Sequence, residues 1–176
     1  AVPAGFCVAA AEVVEVQTEL CWRVADELRI PRIIFINKPD RERASFERTL
    51  ADLKARFGVG VAPLELPIGT EADFCGVVDL LRDTAETYTD GSPRGIEGPV
   101  PETMATEEPS VHAALIEGIV VADDDLTERY LADETTETTE TGNALATGID
   151  AATVFPALCG SATKLAGIDR PARCTV

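Results

Sequence analysis

The sequence predicts an α/β fold: a parallel sheet with covering helices, joined to a second unit of mixed strands and helices. Three observations carry this. The first 60 residues alternate strand, helix, strand, helix, the pattern of a parallel sheet whose crossovers are helical. The apolar run Ile33-Ile34-Phe35-Ile36 ends in Asn37-Lys38-Pro39-Asp40, which puts polar side chains at the carboxyl end of a strand, where open α/β sheets collect ligands. Near the far end of the chain a second strand, 153–159, runs into Gly160-Ser161-Ala162-Thr163-Lys164.

Taken in order, residues 5–14 read as a buried strand that runs out, weakened by three alanines. Residues 17–28 place Leu20, Val24 and Leu28 four apart, with Cys21 beside them, which predicts a helix with one apolar stripe. The strand at 32–37 follows. Phe46, Leu50, Leu53 and Phe57 then make a second amphipathic helix, stopped at Gly58. Beyond it, 62–68 reads as a strand. Residues 74–81 and 84–88 read as a β-pair broken at Arg82-Asp83, and 90–101, rich in Gly and Pro, as a loop. Residues 107–121 and 124–131 are predicted helical, the second capped by the Asp123-Asp124-Asp125 cluster. The run 133–142, Asp-Glu-Thr-Thr-Glu-Thr-Thr-Glu-Thr-Gly, is expected to be a mobile acidic loop, because threonine is a poor helix former and the acids repel.

A chain of 176 residues holds one domain with a sizeable core, or one carrying a smaller insert. No apolar run approaches the roughly 18 residues of a membrane span, and no basic segment precedes an apolar leader, so a cytoplasmic location is expected. The first residue is Ala rather than Met, which suggests an amino end processed or cut from something longer. With 15 basic against 31 acidic residues the net charge is −16. That argues against a direct nucleic-acid footprint, which needs basic contacts to phosphate; it suits a basic protein partner, or solubility alone. The five cysteines are scattered without a C-x-x-C pair, as expected of reduced thiols. The single histidine, His112, has no Cys or His at ligand spacing, so no metal site is expected.

The tetrapeptide at 37–40 carries specific chemistry. A carboxylate such as that of Asp40 accepts two hydrogen bonds from the ring N–H and exocyclic amine that guanine presents side by side, and such charge-assisted pairs are the strong class. Adenine presents the opposite pattern and leaves the carboxylate unpaired, a loss of roughly 1–3 kcal/mol. Asn37 can donate to the purine N7, and the Lys38 stem can lie along the base with its ammonium in water. The small residues after the second strand let backbone N–H groups approach a ligand, and the Ala162 N–H is suited to the guanine O6. Each segment also suits an ordinary turn; together they form a constellation in which two strand ends converge on one base.

The chain resembles the second half of the GTP-binding domain of elongation factor G, the elongation-factor-G-like proteins in particular. The residues that carry the resemblance are Val14-Glu15-Val16-Gln17-Thr18-Glu19, Ile36-Asn37-Lys38-Pro39-Asp40-Arg41, Leu64-Glu65-Leu66-Pro67-Ile68-Gly69, Ala72-Asp73-Phe74 with Gly76-Val77-Val78-Asp79-Leu80, Asp124-Asp125-Leu126 with Glu128-Arg129-Tyr130-Leu131, Phe155-Pro156 and Cys159-Gly160-Ser161-Ala162. They run in order from about residue 8 to about 169. The resemblance implies a partial P-loop-NTPase-type sheet formed by 1–66 and 152–176, with an inserted α+β subdomain at 67–151. It implies that Asn37, Lys38 and Asp40 are the fourth GTPase motif, that Ser161, Ala162 and Lys164 lie in the fifth, and that the ligand is GTP or GDP. It also implies GTP binding coupled to ribosomal translocation in full-length relatives, with Mg²⁺, the ribosome and the ribosomal stalk protein as partners.

Departures from the family pattern matter as much. The phosphate-binding loop G-x-x-x-x-G-K-[ST] is absent from these residues, as are the magnesium-binding threonine and the D-x-x-G turn, which are expected ahead of residue 1. These parts supply nearly all of phosphoryl-transfer catalysis, so no catalytic residue or magnesium ligand is expected here, and this chain alone is not expected to hydrolyse GTP. The strand at 5–14 is expected to form a raw sheet edge. Pro39 replaces an apolar residue and pushes Lys38 out of the right-handed region, and Thr163 replaces a bulkier side chain. Residues 170–176 abandon the apolar spacing of a closing helix, which reads as truncation or a frame change. Two alternatives to a nucleotide-binding fragment are a non-catalytic interaction module that binds the stalk protein, and a degenerate truncated product.

Overall fold

The computed structural model describes residues 3–12, 14–89, 92–104, 108–120, 127–128 and 138–173. Two four-stranded sheets organise them. The first is parallel, with β1 (Ala4–Ala9), β2 (Arg32–Asn37), β8 (Phe155–Gly160) and β3 (Val61–Pro63) in the order β1-β2-β8-β3. The second is antiparallel, with β4 (Glu65–Ile68), β5 (Gly76–Asp79), β6 (Thr84–Thr87) and β7 (Ile96–Gly98) in sequence order. This is the α/β fold with an added antiparallel unit that the sequence predicts. No described helix is long and apolar enough to cross a membrane.

The strand expected at 62–68 is two strands in different sheets, and Leu64 is the switch between them. Its N–H donates to the Ala157 carbonyl of the first sheet (2.9 Å), and its carbonyl accepts from Leu80 N–H of the second (3.0 Å). A continuous apolar run cannot report that change of partner, because both halves are buried. The loop expected at 90–101 contains β7, an edge strand on β6.

Helix α1 (Val16–Glu27) buries Trp22 and Ala25. An apolar stripe ordinarily faces the core, yet Val16, Leu20, Val24 and Leu28 are 72%, 47%, 54% and 65% exposed. The aromatic residue decides the helix's orientation. Trp22 stacks on Phe57 at 4.0 Å between centroids and meets Phe6 and Phe155 edge-on at 5.0 and 4.8 Å. The Arg32 guanidinium lies 4.6 Å from the Trp22 ring and 4.3 Å from that of Phe155, and donates to Asp26 Oδ1 at 2.9 Å. Two ring faces, the Asp26 carboxylate and the Ala152 carbonyl (3.3 Å) partner this arginine, which is 1% exposed, while its Nε and Nη1 are buried without a hydrogen-bond partner.

Helix α2 (Phe46–Phe57) begins at Ser45, whose Oγ accepts from Arg48 N–H (3.2 Å), and stops at Gly58. Helix α3 (Glu108–Val120) buries Val111, Leu115, Ile119 and Val120. Gly118 lets it approach β3 so closely that a Cβ there would sit 2.9 Å from that of Ala62. Helix α4 (Thr138–Asp150) begins inside the expected acidic loop, of which 133–137 lie outside the described residues. Thr141, Ala144 and Leu145 are buried on its inner face, so packing overrides the low propensity of threonine. Of the helix expected at 124–131, only Thr127 and Glu128 are described, and both are helical. A short helix, α5 (Arg170–Arg173), follows β8.

Candidate functional site

β2 and β8 are neighbours with Asn37 opposite Gly160, so the loops that leave them emerge side by side. Asn37 joins the two. Its Oδ1 accepts from Lys38 N–H at 2.9 Å and from Ala162 N–H at 3.2 Å. Both bonds use the oxygen, and neither engages the amide NH₂. Lys38 lies in the left-handed region, with φ 62; the following proline disfavours the right-handed one, and such strain collects at ligand sites. Asp40 is half-buried, and its Oδ1 is buried without a hydrogen-bond partner. An unpaired buried acceptor is disfavoured by roughly 1–3 kcal/mol, a deficit that an incoming donor removes.

The second loop is a tight structure. Ser161 and Ala166 exchange backbone hydrogen bonds at 2.8 and 3.1 Å, and Ser161 Oγ accepts from Lys164 N–H at 3.1 Å. At its neck a Cβ on Gly160 would sit 2.6 Å from the Ala166 carbonyl oxygen. The Ala162 N–H, expected to face a base, is held by Asn37 here. The Lys164 ammonium bonds to the carbonyls of Ala72 and Phe74 at 2.7 and 2.9 Å. The 3-10 turn Glu71–Asp73 also reaches the first loop: Glu71 N–H donates to the Pro39 carbonyl (3.1 Å), and its carboxylate accepts from Arg43 N–H (2.7 Å).

A cleft of about 210 Å³ opens beyond the carboxyl ends of β1 and β2, lined by Cys7, Glu12, Glu15, Thr18, Asn37 and Lys38 among others. Two carboxylates against one ammonium make a poor cradle for phosphate.

Behind the second loop lies a group of charges that sequence reasoning missed. Arg170 is 7% exposed. Its guanidinium bonds to Glu65 and Asp79 and, at 2.9 Å, to Glu86, one carboxylate from each of β4, β5 and β6. The other Glu65 oxygen accepts from Cys159 N–H at 2.9 Å. Burial pushes the Glu65 carboxyl up to about 7, against the pull of Arg170 and with the Asp79 charge adding to the rise. Burial and then the Glu65 charge raise the Cys159 thiol well above its usual range. The one available signal was an acid inside an apolar strand, Leu64-Glu65-Leu66.

The elongation factor Tu GTP-binding domain model matches residues 4–172. Elongation factor G of Mycoplasma genitalium is 38% identical over 157 residues, which cover 88% of this chain and 23% of that protein. Elongation factor G of Mycoplasma pneumoniae is 36% identical over 156 residues, again 88% and 23%. A crystal structure of a Thermus thermophilus protein superposes with a TM-score of 0.84 at 25% identity, covering 99% of this chain and 26% of the other. The chain thus spans about a quarter of the length of each of these proteins.

Proposed function

The chain belongs to the elongation factor Tu GTP-binding domain family, and on that footing we propose that its two strand-end loops read the base of a guanine nucleotide, GTP or GDP. The observation that carries this is Asp40 Oδ1, buried and unpaired three residues beyond an asparagine that already joins both loops. In this reading Asp40 accepts from the guanine ring N–H and exocyclic amine, the Asn37 amide donates to the purine, and Lys38 covers the base. Ser161 and Ala162 shape the facing wall, and Lys164 steadies that wall through Ala72 and Phe74.

Among the described residues no group of three His, Cys, Asp or Glu side chains is available to hold a metal ion, and the carboxylates that do converge, Glu65, Asp79 and Glu86, are occupied by Arg170. The reading is of base recognition, and turnover of GTP is no part of it. Coupling to ribosomal translocation, a cytoplasmic setting, and contact of the 67–151 segment with the ribosomal stalk protein belong to the same proposal and rest on the likeness to elongation factor G.

Calorimetric titration with GDP, and with ADP as control, tests it. Heat with GDP alone is expected. Asp40→Asn replaces an acceptor by a donor and is expected to transfer the preference to xanthosine diphosphate. Equal GDP binding by the unaltered and Asp40→Asn chains would remove Asp40 from the site and overturn the reading.

A further inference from the structure

The loop after β8 is fastened to the second sheet at its entry and exit, and at its tip to the connection between β4 and β5. At the entry, Cys159 N–H donates to Glu65 Oε2. At the tip, the Lys164 ammonium holds Ala72 and Phe74. At the exit, the Tyr88 hydroxyl oxygen lies 2.9 Å from Asp169 Oδ1 and 3.1 Å from Glu86 Oε2, so its single proton serves one carboxylate at a time. Arg170 ties entry to exit, because one guanidinium gathers Glu65, Asp79 and Glu86. The entry is two residues from Ser161, and Gly160 stands opposite Asn37 in the sheet. A continuous path of bonds thus leads from the guanidinium through Glu65 and Cys159 N–H to Gly160, opposite Asn37, and to Ala162 N–H, which donates to Asn37 Oδ1.

We propose that Arg170 is a positioning residue for base recognition, fixing both ends of the Ser161–Ala166 loop to the second sheet so that this sheet sets the geometry of the site. The proposal rests on the guanine reading for its ligand, but the tether itself is separable from it. Coupling follows in both directions: whatever moves the second sheet changes nucleotide affinity, and nucleotide changes affinity at the second sheet by the same factor.

The test uses the full chain. Replacing Arg170 alone strands three buried carboxylates and endangers folding. The main variant therefore combines Arg170→Met with Glu65→Gln, Asp79→Asn and Glu86→Gln; Tyr88→Phe is a milder second variant that cuts only the exit. Amide hydrogen exchange at Ser161 and Ala166 is compared with exchange in β1 and β2, and GDP is titrated against ADP. In the fourfold variant, loop exchange about tenfold faster is expected, with little change in β1 and β2, together with a GDP affinity about tenfold weaker. Arg170→Lys should restore part of both. In Tyr88→Phe, faster exchange at Ala166 is expected, and unchanged exchange counts against the tether even where the fourfold variant fails to fold. A folded fourfold variant with unaltered loop exchange and GDP affinity overturns the proposal. If the unaltered chain binds neither nucleotide, the guanine reading fails on its own, and the exchange data still decide the tether.

Discussion

Helix α1 offers a direct contrast between what its sequence advertises and what its fold uses. Trp22 is 7% exposed and touches three aromatic rings and the Arg32 guanidinium. Truncating a buried tryptophan to alanine is worth about 3–5 kcal/mol. Arg32 would also lose one of its two ring faces, a further loss of roughly 1 kcal/mol. Val24 and Leu28 are 54% and 65% exposed, so at most half of the roughly 2 kcal/mol available from full burial is at stake at each. Trp22→Ala is therefore expected to lower stability by about 4–6 kcal/mol, and Val24→Ser with Leu28→Ser by less than about 2 kcal/mol together. Urea unfolding followed by far-ultraviolet circular dichroism measures both, provided the denaturant slope stays constant. If the serine pair destabilises more than Trp22→Ala does, the stripe faces the core and the orientation of α1 described here is wrong.

Two further outcomes are expected. Glu65 has an ordinary value of 4.5 and is pushed to about 7 in the fold, so the folded chain holds a proton that the unfolded chain has released. Its contribution to stability is complete below 4.5 and is lost as pH rises through about 7. Arg170, Asp79 and the Cys159 N–H act on this carboxyl, and Glu86 shares the same guanidinium; thermal melts from pH 5 to 8 should show the decline, and Glu65→Gln should flatten it, whereas parallel profiles for the two chains would refute the protonated state. Gly118→Ala would place a methyl group 2.9 Å from Ala62 Cβ and 3.0 Å from its Cα. Overpacking of about 1–3 kcal/mol outweighs the gain of about 1 kcal/mol in helix propensity, so a melting temperature roughly 2–4 °C lower is expected, with recovery in the double variant Gly118→Ala, Ala62→Gly.

Much of the frame was legible in the residues because local pattern and global packing agree there. The runs that became β2, α2 and β8 carry both their period and their stop signals, Asn37 at one end and Gly58 and Gly160 at others. Legibility failed where partners distant in the chain decide the outcome. Leu64 changes sheets through bonds to Ala157 and Leu80, and nothing within a few residues of it says so. Threonine-rich 138–142 is helical because Thr141, Ala144 and Leu145 find a buried surface. For the site, the two strand-end motifs were readable as chemistry. What braces them was not, because Arg170, Glu65, Asp79 and Glu86 come together only when two sheets meet.

The order β1-β2-β8-β3 also has a consequence in time. The bond between Asn37 Oδ1 and Ala162 N–H spans 125 positions of chain, and a ribosome adds residues at roughly 5–20 per second. For roughly 6–25 s of synthesis, β2 waits with only β1 beside it. Throughout that interval the side of β2 reserved for β8 stays open to any passing extended segment. For that interval the nascent chain is open to mispairing along the strand that ends in Asn37, and a chaperone that shields that side until β8 emerges would act where this topology needs it.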